Sequence, residues 1–475
     1  MSHPDTNEYA AFLQDTIRVT HRLALSLGAR YDLQTFTTKG LVTNPLWPQS
    51  GKVPFNDRNV SPRVGLAYSI GNERPLVIRA GYGLFYTRIP QIYTSTVATD
   101  NGFTSANLIL DNMNYYERQV FPTYPNPLAA CAPQSTFCTP PATIASYLSS
   151  DVAGFSPNFV TPRVHQASLN LERELASRFA GGISYMYVHG QNLIRARDLN
   201  LPVPVPSFYT WQMTRSMTGP YPPCINPLAR PLPQLSAINE FDSEASSVYH
   251  GVTVSLRRRM TAGFYFRMAY TFAHSIDDGQ NALVAGRPAT VQNSYSPASE
   301  RGPSVTDQRR RLVLSAIDEP RPFGRDHAVL SKLFNDWKIS GVLTVGSGRP
   351  VNARVAGDPN QDGNDSNDRI PGYGRNAFLG PEYATTDLRL TRRLYVRPRY
   401  KLELVAEAFN ALNRDNKRVV ITDDGFMSTA TDFVQLDKTI GIRYFPAYYQ
   451  KPLNLVSANS AYAPRQVQFA LKLIF

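Results

Sequence analysis

The sequence predicts an all-β fold, an antiparallel transmembrane β-barrel with short turns at one end of the wall and long loops at the other. Three observations predict it. Runs of about ten residues alternate strictly between apolar and polar positions, the signature of a strand with one face in an apolar medium. These runs come in pairs joined by a few residues, and long Pro-rich polar segments separate the pairs, as in a barrel wall. No stretch approaches 18 consecutive apolar residues, so no helix is long and apolar enough to cross a bilayer. The mean hydropathy of -0.29 is compatible with a membrane, because only every second residue of a barrel strand meets lipid.

The clearest pair lies between Ser247 and Asp278. Val248, His250, Val252, Val254 and Leu256 take one face of the first run, and Tyr249, Gly251, Thr253, Ser255 and Arg257 the other. In the second, Phe264, Phe266, Met268, Tyr270 and Phe272 oppose Tyr265, Arg267, Ala269, Thr271 and Ala273. The joining residues Arg258 to Gly263 suffice only for an antiparallel hairpin.

Taken in order, the chain repeats this unit. Glu8 to Asp32 gives two runs around Thr20, His21 and Arg22, with Leu13, Ile17, Leu23, Leu25 and Leu27 on the apolar side. Ser61 to Tyr86 turns at Gly71–Pro75, with Val64, Leu66, Tyr68, Ile78, Ala80 and Tyr82 on the apolar side and Arg63, Arg79, Gly81 and Gly83 opposite. An arginine facing lipid costs roughly 2–4 kcal/mol at mid-bilayer, so the arginine-bearing face is the lumen. Residues 87–162 read as the longest loop. A hairpin from Arg163 to Gly190, turning at Ala176–Arg178, leads through a second Pro-rich loop to the Ser247–Asp278 pair. Arg310 to Ile317 pairs with Trp337 to Val345 across a longer connection containing EPRPFG, and Tyr383 to Tyr395 pairs with Tyr400 to Leu412. Residues 413–464 read as a loop, and Gln466 to Phe475 is the last strand. The lumen-facing candidates are Arg63, Arg79, Arg267, Glu403 and Glu407. About thirteen strands result. With short turns in the periplasm, strands one and thirteen both descend, which leaves Phe475 in the periplasm.

The net charge of +12 does not indicate a nucleic-acid partner. The triplets Arg257–Arg259 and Arg309–Arg311 sit at strand ends, and no basic stripe with interleaved aromatics connects them. Cys131 and Cys138 share one Pro-rich loop while Cys224 stands apart, so a Cys131–Cys138 disulfide suits an oxidising compartment. In the loop GDPNQDGNDSNDR, Asp358, Asn360 and Asp362 alternate ahead of Gly363. That is the front half of an EF-hand-type calcium loop, where alternate oxygens converge on a hard cation. Arg369 occupies the place of the closing Glu, and Asp365 or Asp368 could substitute, so Ca²⁺ is the one cofactor the sequence offers. The 7 histidines fall in no metal-binding spacing, and Ser347 lacks a nucleophile-elbow context. No catalytic set emerges, and an enzyme is not expected.

Several segments resemble one family, the Oar-like TonB-dependent outer-membrane receptors, whose barrels follow a carboxypeptidase-regulatory-like domain and a plug. The matching pieces are FLQDTIRVTHRLALSLGARYD, SPRVGLAYSIG with RAGYGLFYTRI, AYTFAHSIDD, ERGPSVTDQRRRLVLSA, DWKISGVLTVGSGRP, and DLRLTRRLYV with LELVAEAFNALNRDN. They run through the whole chain in the family's order. Phe272 and Arg310 stand where the family usually has Trp and His. The resemblance implies energy-coupled uptake of a large or scarce substrate of glycan, peptide or siderophore type, bound by the extracellular loops and released inward through the TonB complex. Gln468, Ala470, Leu473 and Phe475 resemble the terminal signal read by the barrel-assembly machinery. TonB-dependent barrels have 22 strands, so residues 1–475 are read as one partial barrel domain in the cell outer membrane. About nine N-terminal strands, the plug and a signal peptide are expected upstream. Two other readings stay open: an adhesion or secretion-related outer-membrane barrel without uptake activity, and a soluble all-β binding protein with its apolar faces packed as a sandwich.

Overall fold

The computed structural model describes residues 5–103, 107–108, 148–149, 151–176, 178–202, 208–211, 217–220, 230–279, 283–284, 287–323, 328–351, 367, 374–395, 400–416 and 463–475. Its framework is a 15-stranded sheet in which thirteen strands follow one another as an antiparallel meander. They are β1 (Thr6–Arg18), β2 (Leu23–Phe36), β3 (Val60–Ile70), β4 (Leu76–Tyr86), β5 (Arg163–Ala176), β6 (Phe179–Asp198) and β7 (Ile238–Thr261). The path continues through β8 (Phe264–Asp277), β9 (Arg310–Asp318), β10 (Trp337–Gly346), β11 (Tyr383–Tyr395), β12 (Lys401–Phe409) and β13 (Gln466–Ile474). Each strand pairs with its neighbour in sequence. Two short strands join the side of this path: Val152–Phe155 runs parallel to β7, and Gly302–Pro303 pairs with β8.

The register shows why alternation in sequence becomes two-sidedness in space. Residues opposite one another in a ladder share a face, and a one-residue slip would exchange the faces. One row runs Leu25, Leu66, Ala80, Leu169, Tyr185, Val252 and Phe272 across β2 to β8. The next runs Leu23, Tyr68, Ile78, Leu171, Ile183, Val254, Tyr270, Leu312 and Val345. At the C-terminal side, Leu390, Ala406 and Phe469 continue the apolar face. These side chains are left uncovered by the protein: Phe272 is 52% exposed and Phe469 81%. Small and polar residues predominate on the opposite face, as in the row Ser26, Gly65, Gly81, Ser168, Met186, Gly251 and Ala273, where Met186 is the exception.

The turns at one end are short. Between β7 and β8 only Ala262 and Gly263 intervene, both at positive φ (50° and 79°), as a tight hairpin requires. A Cβ on Gly263 would collide with the carbonyl oxygen of Glu319, so both conformation and space call for glycine there.

The structure departs from the sequence reading at several strand ends and in two connections. β6 and β7 are 20 and 24 residues long, and β7 starts at Ile238 rather than Ser247. The stretch before Ser247, which reads as loop in the sequence, supplies Glu240, Asp242 and Glu244, which stand beside Arg195 and Arg197 of β6 and pair with them. β12 stops at Phe409, short of Leu412, because Asn410 turns to a positive φ of 46°. Residues 87–162, expected to be irregular, contain helix α1 (Gln91–Thr99) and the Val152–Phe155 strand. The EPRPFG connection leads into helix α2 (Ala328–Phe334).

The buried core sits at the long-loop end, not within the wall. Ile89, Val97, Ala153, Phe155, Phe159, Ala196 and Phe241 form one cluster, with Tyr93 packed against it. Phe155 meets Phe159 edge-on at 5.0 Å, and Tyr93 meets Phe241 the same way at 5.1 Å. Val152, Leu235 and Ile238 form a second cluster, against Trp47 and Leu232. Full burial of a Phe contributes roughly 1.5–3 kcal/mol, so these few rings hold the loops together as a platform on the protruding ends of β6 and β7.

Candidate functional site: the polar wall and the long-loop platform

The polar face of the wall carries lateral ion pairs between neighbouring strands and, in places, across an intervening one. Glu172 on β5 accepts from Arg79 of β4 at 3.4 Å and from Arg257 of β7 at 3.1 Å. Arg389 of β11 pairs with Glu407 of β12 at 3.0 Å, and Gln468 of β13 also donates to Glu407. Arg393 pairs with Glu403 at 3.0 Å and reaches Glu319, which also pairs with Lys338 at 3.5 Å. Such partly solvated pairs contribute about 0–1 kcal/mol each. Their main effect is to hold the long side chains flat along the wall. Arg63 instead lies over the Phe85 ring, 4.7 Å from its centroid.

The five residues chosen from the sequence as lumen-facing therefore occupy one face. Arg63 stands opposite Gly83, Arg79 opposite Ala67, Arg267 opposite Arg257, Glu403 opposite Arg393 and Glu407 opposite Arg389. Above the ion pairs, the Ser26–Gly65–Gly81–Ser168 row carries almost no side-chain volume. The C-terminal residues Gln468 and Ala470 pair with Glu407 and Val405 on the polar face, while Leu473 pairs with Leu402 on the apolar one. Phe475 follows β13 and is 81% exposed.

The platform uses the same residue types in a buried setting. Arg195 and Asp242, only 6% and 1% exposed, pair at 3.1 Å. Arg197 contacts Asp242 and Glu240 at 2.8 Å each. Asp198 accepts from the backbone N–H of Ile238 and Asn200 and pairs with Arg230 at 3.1 Å. Burial pushes the Asp198 and Asp242 carboxyls above the usual carboxylate range, and the neighbouring donors and guanidinium groups pull back against it. Asn200 closes the site by donating to the carbonyls of Leu232 and Leu235 and accepting from Leu232 N–H. Arg375, 2% exposed, donates to the Glu300 carbonyl at 2.7 Å and pairs with Asp277, tying the chain before β11 to the top of β8.

His274, Asp277 and Asp278, adjacent in sequence, separate in space. His274 contacts Asp307 at 3.0 Å, Asp277 goes to Arg375, and Asp278 goes to Ser246 and Arg301. Among the described residues no group of His, Cys, Asp and Glu converges as a metal site. The calcium loop residues Asp358, Asn360, Asp362, Asp365 and Asp368, and the cysteines Cys131 and Cys138, lie outside the described residues. The paired Arg and Glu rows of the platform were missed in the sequence. Their signal is the alternation Arg195, Arg197 against Glu240, Asp242, Glu244 on two consecutive runs.

A two-faced meander, apolar and uncovered on one side and polar on the other, defines a membrane β-barrel wall. The chain belongs to the outer membrane beta barrel domain family, whose model matches residues 2–373. Its apolar face is accordingly turned to the lipid of the outer membrane. No curated protein matches the chain. Among solved structures it is similar to the ferric enterobactin receptor PfeA of Pseudomonas aeruginosa, at 13% identity and a TM-score of 0.49, over 98% of this chain and 44% of that one. It is also similar to the outer membrane transporter YddB of Escherichia coli, at 12% identity and a TM-score of 0.48, over 99% of this chain and 45% of that one. A third is the pyoverdine outer membrane receptor FpvA of P. aeruginosa bound to pyoverdine, at 12% and 0.48, over 99% and 42%. The chain spans less than half the length of each of these structures.

Proposed function

We propose that this chain is the wall and loop portion of an Oar-like TonB-dependent receptor that takes up a large or scarce substrate of glycan, peptide or siderophore type. The observation that carries the reading is the polar face. Glu172, Glu403 and Glu407 hold arginines laterally along it, and a row of Gly and Ser leaves backbone-level clearance on β2 to β5. A plug could seat against such a wall, and withdrawing it would open a polar passage. The platform would hold the substrate-binding loops at a fixed height above that passage. TonB would supply the energy through the plug, the barrel-assembly machinery would read Gln468, Ala470, Leu473 and Phe475, and Ca²⁺ on Asp358, Asn360 and Asp362 and a Cys131–Cys138 disulfide would stiffen the loops. The role is that of a carrier, not a catalyst.

The test is a Gly81→Cys variant in the native gene, labelled in whole cells with a membrane-impermeant maleimide. Mass spectrometry separates position 81 from the native cysteines. Under the uptake reading, position 81 is shielded in cells treated with a protonophore and labels when the cells are energised and supplied with substrate-rich medium. Equal labelling in both conditions would favour the adhesion or secretion-related barrel, in which nothing moves in the lumen.

A further inference from the structure

Helix α2 sits at the short-turn end of the wall, between β9 and β10, and its apolar side chains stay largely uncovered, although one face of Phe334 meets Phe323 with ring centroids 5.6 Å apart. Val329 is 73% exposed, Leu333 58% and Phe334 51%. In water such a connection would be costly, since segments between strands are ordinarily polar. Beside it the apolar face carries an open groove of about 560 Å³, lined by Trp337, Leu390, Arg392, Leu404, Phe469 and Leu471. The register places Trp337, Arg392, Leu404 and Leu471 in one row of the lipid-facing side.

Arg392 is the informative residue. An arginine on this face costs roughly 2–4 kcal/mol at the bilayer midplane but only about 0–1 kcal/mol near the interface. Its row, at the start of β10 and close to the β11–β12 turn, is where the headgroup layer begins. The guanidinium lies over the Trp337 ring, 5.1 Å from its centroid, and donates to the carbonyl of Asn335. Trp337 Nε1 donates to the carbonyl of Leu333 at 2.9 Å. Helix, tryptophan and arginine are thus one unit, joined by hydrogen bonds and the cation–π contact, with an apolar slot continuing from it along the lipid-facing wall. A positive group at the mouth of an apolar groove complements a molecule with an anionic head and a hydrocarbon tail.

We propose that α2 and this groove form a binding site for an anionic phospholipid of the periplasmic leaflet. One acyl chain lies along Leu390, Leu404, Phe469 and Leu471, the phosphate faces Arg392, and α2 lies in the headgroup layer with Val329, Leu333 and Phe334 turned to the hydrocarbon. The site depends on the barrel's outer face alone and stands whether or not the lumen carries a substrate.

The test uses the whole protein as its gene encodes it, with Trp47, Trp211 and any tryptophan outside residues 1–475 changed to Phe, so that Trp337 alone reports. The protein is refolded into phosphatidylcholine vesicles containing a minority of brominated-chain lipid, either phosphatidylglycerol or phosphatidylcholine. Folding is scored by heat-modifiable gel migration. The anionic lipid should quench Trp337 about fivefold more effectively than the zwitterionic one, the worth of one arginine at an anionic headgroup. That preference should vanish in Arg392→Gln, survive in Arg392→Lys, and shrink at high salt. Equal quenching by the two lipids in the parent would overturn the proposal, as would a preference unchanged in Arg392→Gln or at high salt. Absence of quenching by either lipid would mean that protein covers the groove, and would overturn it as well. If Arg392→Gln does not fold, the salt dependence in the parent decides the same point.

Discussion

The wall and the platform use the same residues to opposite ends. In the wall, apolar side chains such as Val254 and Phe272 point away from the protein, while arginines and carboxylates pair in the open. In the platform, Phe155 and Phe241 are sealed inside, and the Arg195–Asp242 pair is sealed with them. The difference lies in the medium that each region was built for. A barrel strand needs no core of its own, because lipid receives its apolar face and the ladder satisfies its backbone. A loop assembly standing in water must make a core, and these loops make theirs on the extended ends of β6 and β7.

The largest contrast should appear on breaking one buried pair. Asp242→Ala removes the buried carboxylate that Arg195 and Arg197 share and leaves Arg195 only the exposed Glu244, a change that costs about 3–5 kcal/mol. Hydrogen exchange should show the Val152–Phe155 and Ile238–Phe241 amides losing protection, while β9 to β12 keep theirs. Uniform loosening of both regions would mean that wall and platform fold as one unit.

Within the wall, two adjacent positions of β7 sharpen the comparison. Val254→Arg places a charge on the lipid side and should cost roughly 2–4 kcal/mol of folding stability in vesicles. Ser255→Arg, one residue along but on the polar face, should be nearly neutral. Urea titration in lipid reads both. A smaller effect, about 0–1 kcal/mol, is expected from Glu172→Gln, although Glu172 contacts both Arg79 and Arg257. A loss as large as that from Asp242→Ala would show that the lumen wall is drier than its exposure suggests.

The smallest expected effect is the pH response of the platform. Asp198 and Asp242 have carboxyls raised by burial, so the folded state holds protons that the unfolded chain has released. In the window between the ordinary carboxylate value and the raised one, their contribution to stability grows as pH falls and is lost as pH rises. Mild acidification should therefore leave platform amides at least as protected as at neutral pH. Acid-induced loosening confined to the platform would contradict the assignment.

How much was legible in the sequence follows the same division. The faces of β7 and β8 could be read directly, because a period of two is a local property and each face meets a uniform medium. Val252 opposite Phe272 and Arg257 opposite Arg267 are where alternation places them. The platform was opaque for a physical reason. Glu240, Asp242 and Glu244 look solvated until Arg195 and Arg197 are beside them, which requires the β6–β7 register. Helix α1, QIYTSTVAT, is rich in β-branched residues that disfavour helix, and burial of Val97 and Thr94 decides in its favour. Helix α2 was hidden because apolar residues in a connection between strands carry no meaning until the bilayer surface is placed beside them.

The central claim is that alternate residues of one strand face lipid and lumen. The most direct measurement is single cysteines at Val252, Thr253, Val254 and Ser255, probed in vesicles with an impermeant maleimide and with a lipid-soluble quencher. The account predicts a period of two in opposite phase: maleimide reaching positions 253 and 255, quencher reaching 252 and 254. Labelling that ignores the alternation, or a phase reversed from this one, would contradict the barrel wall described above.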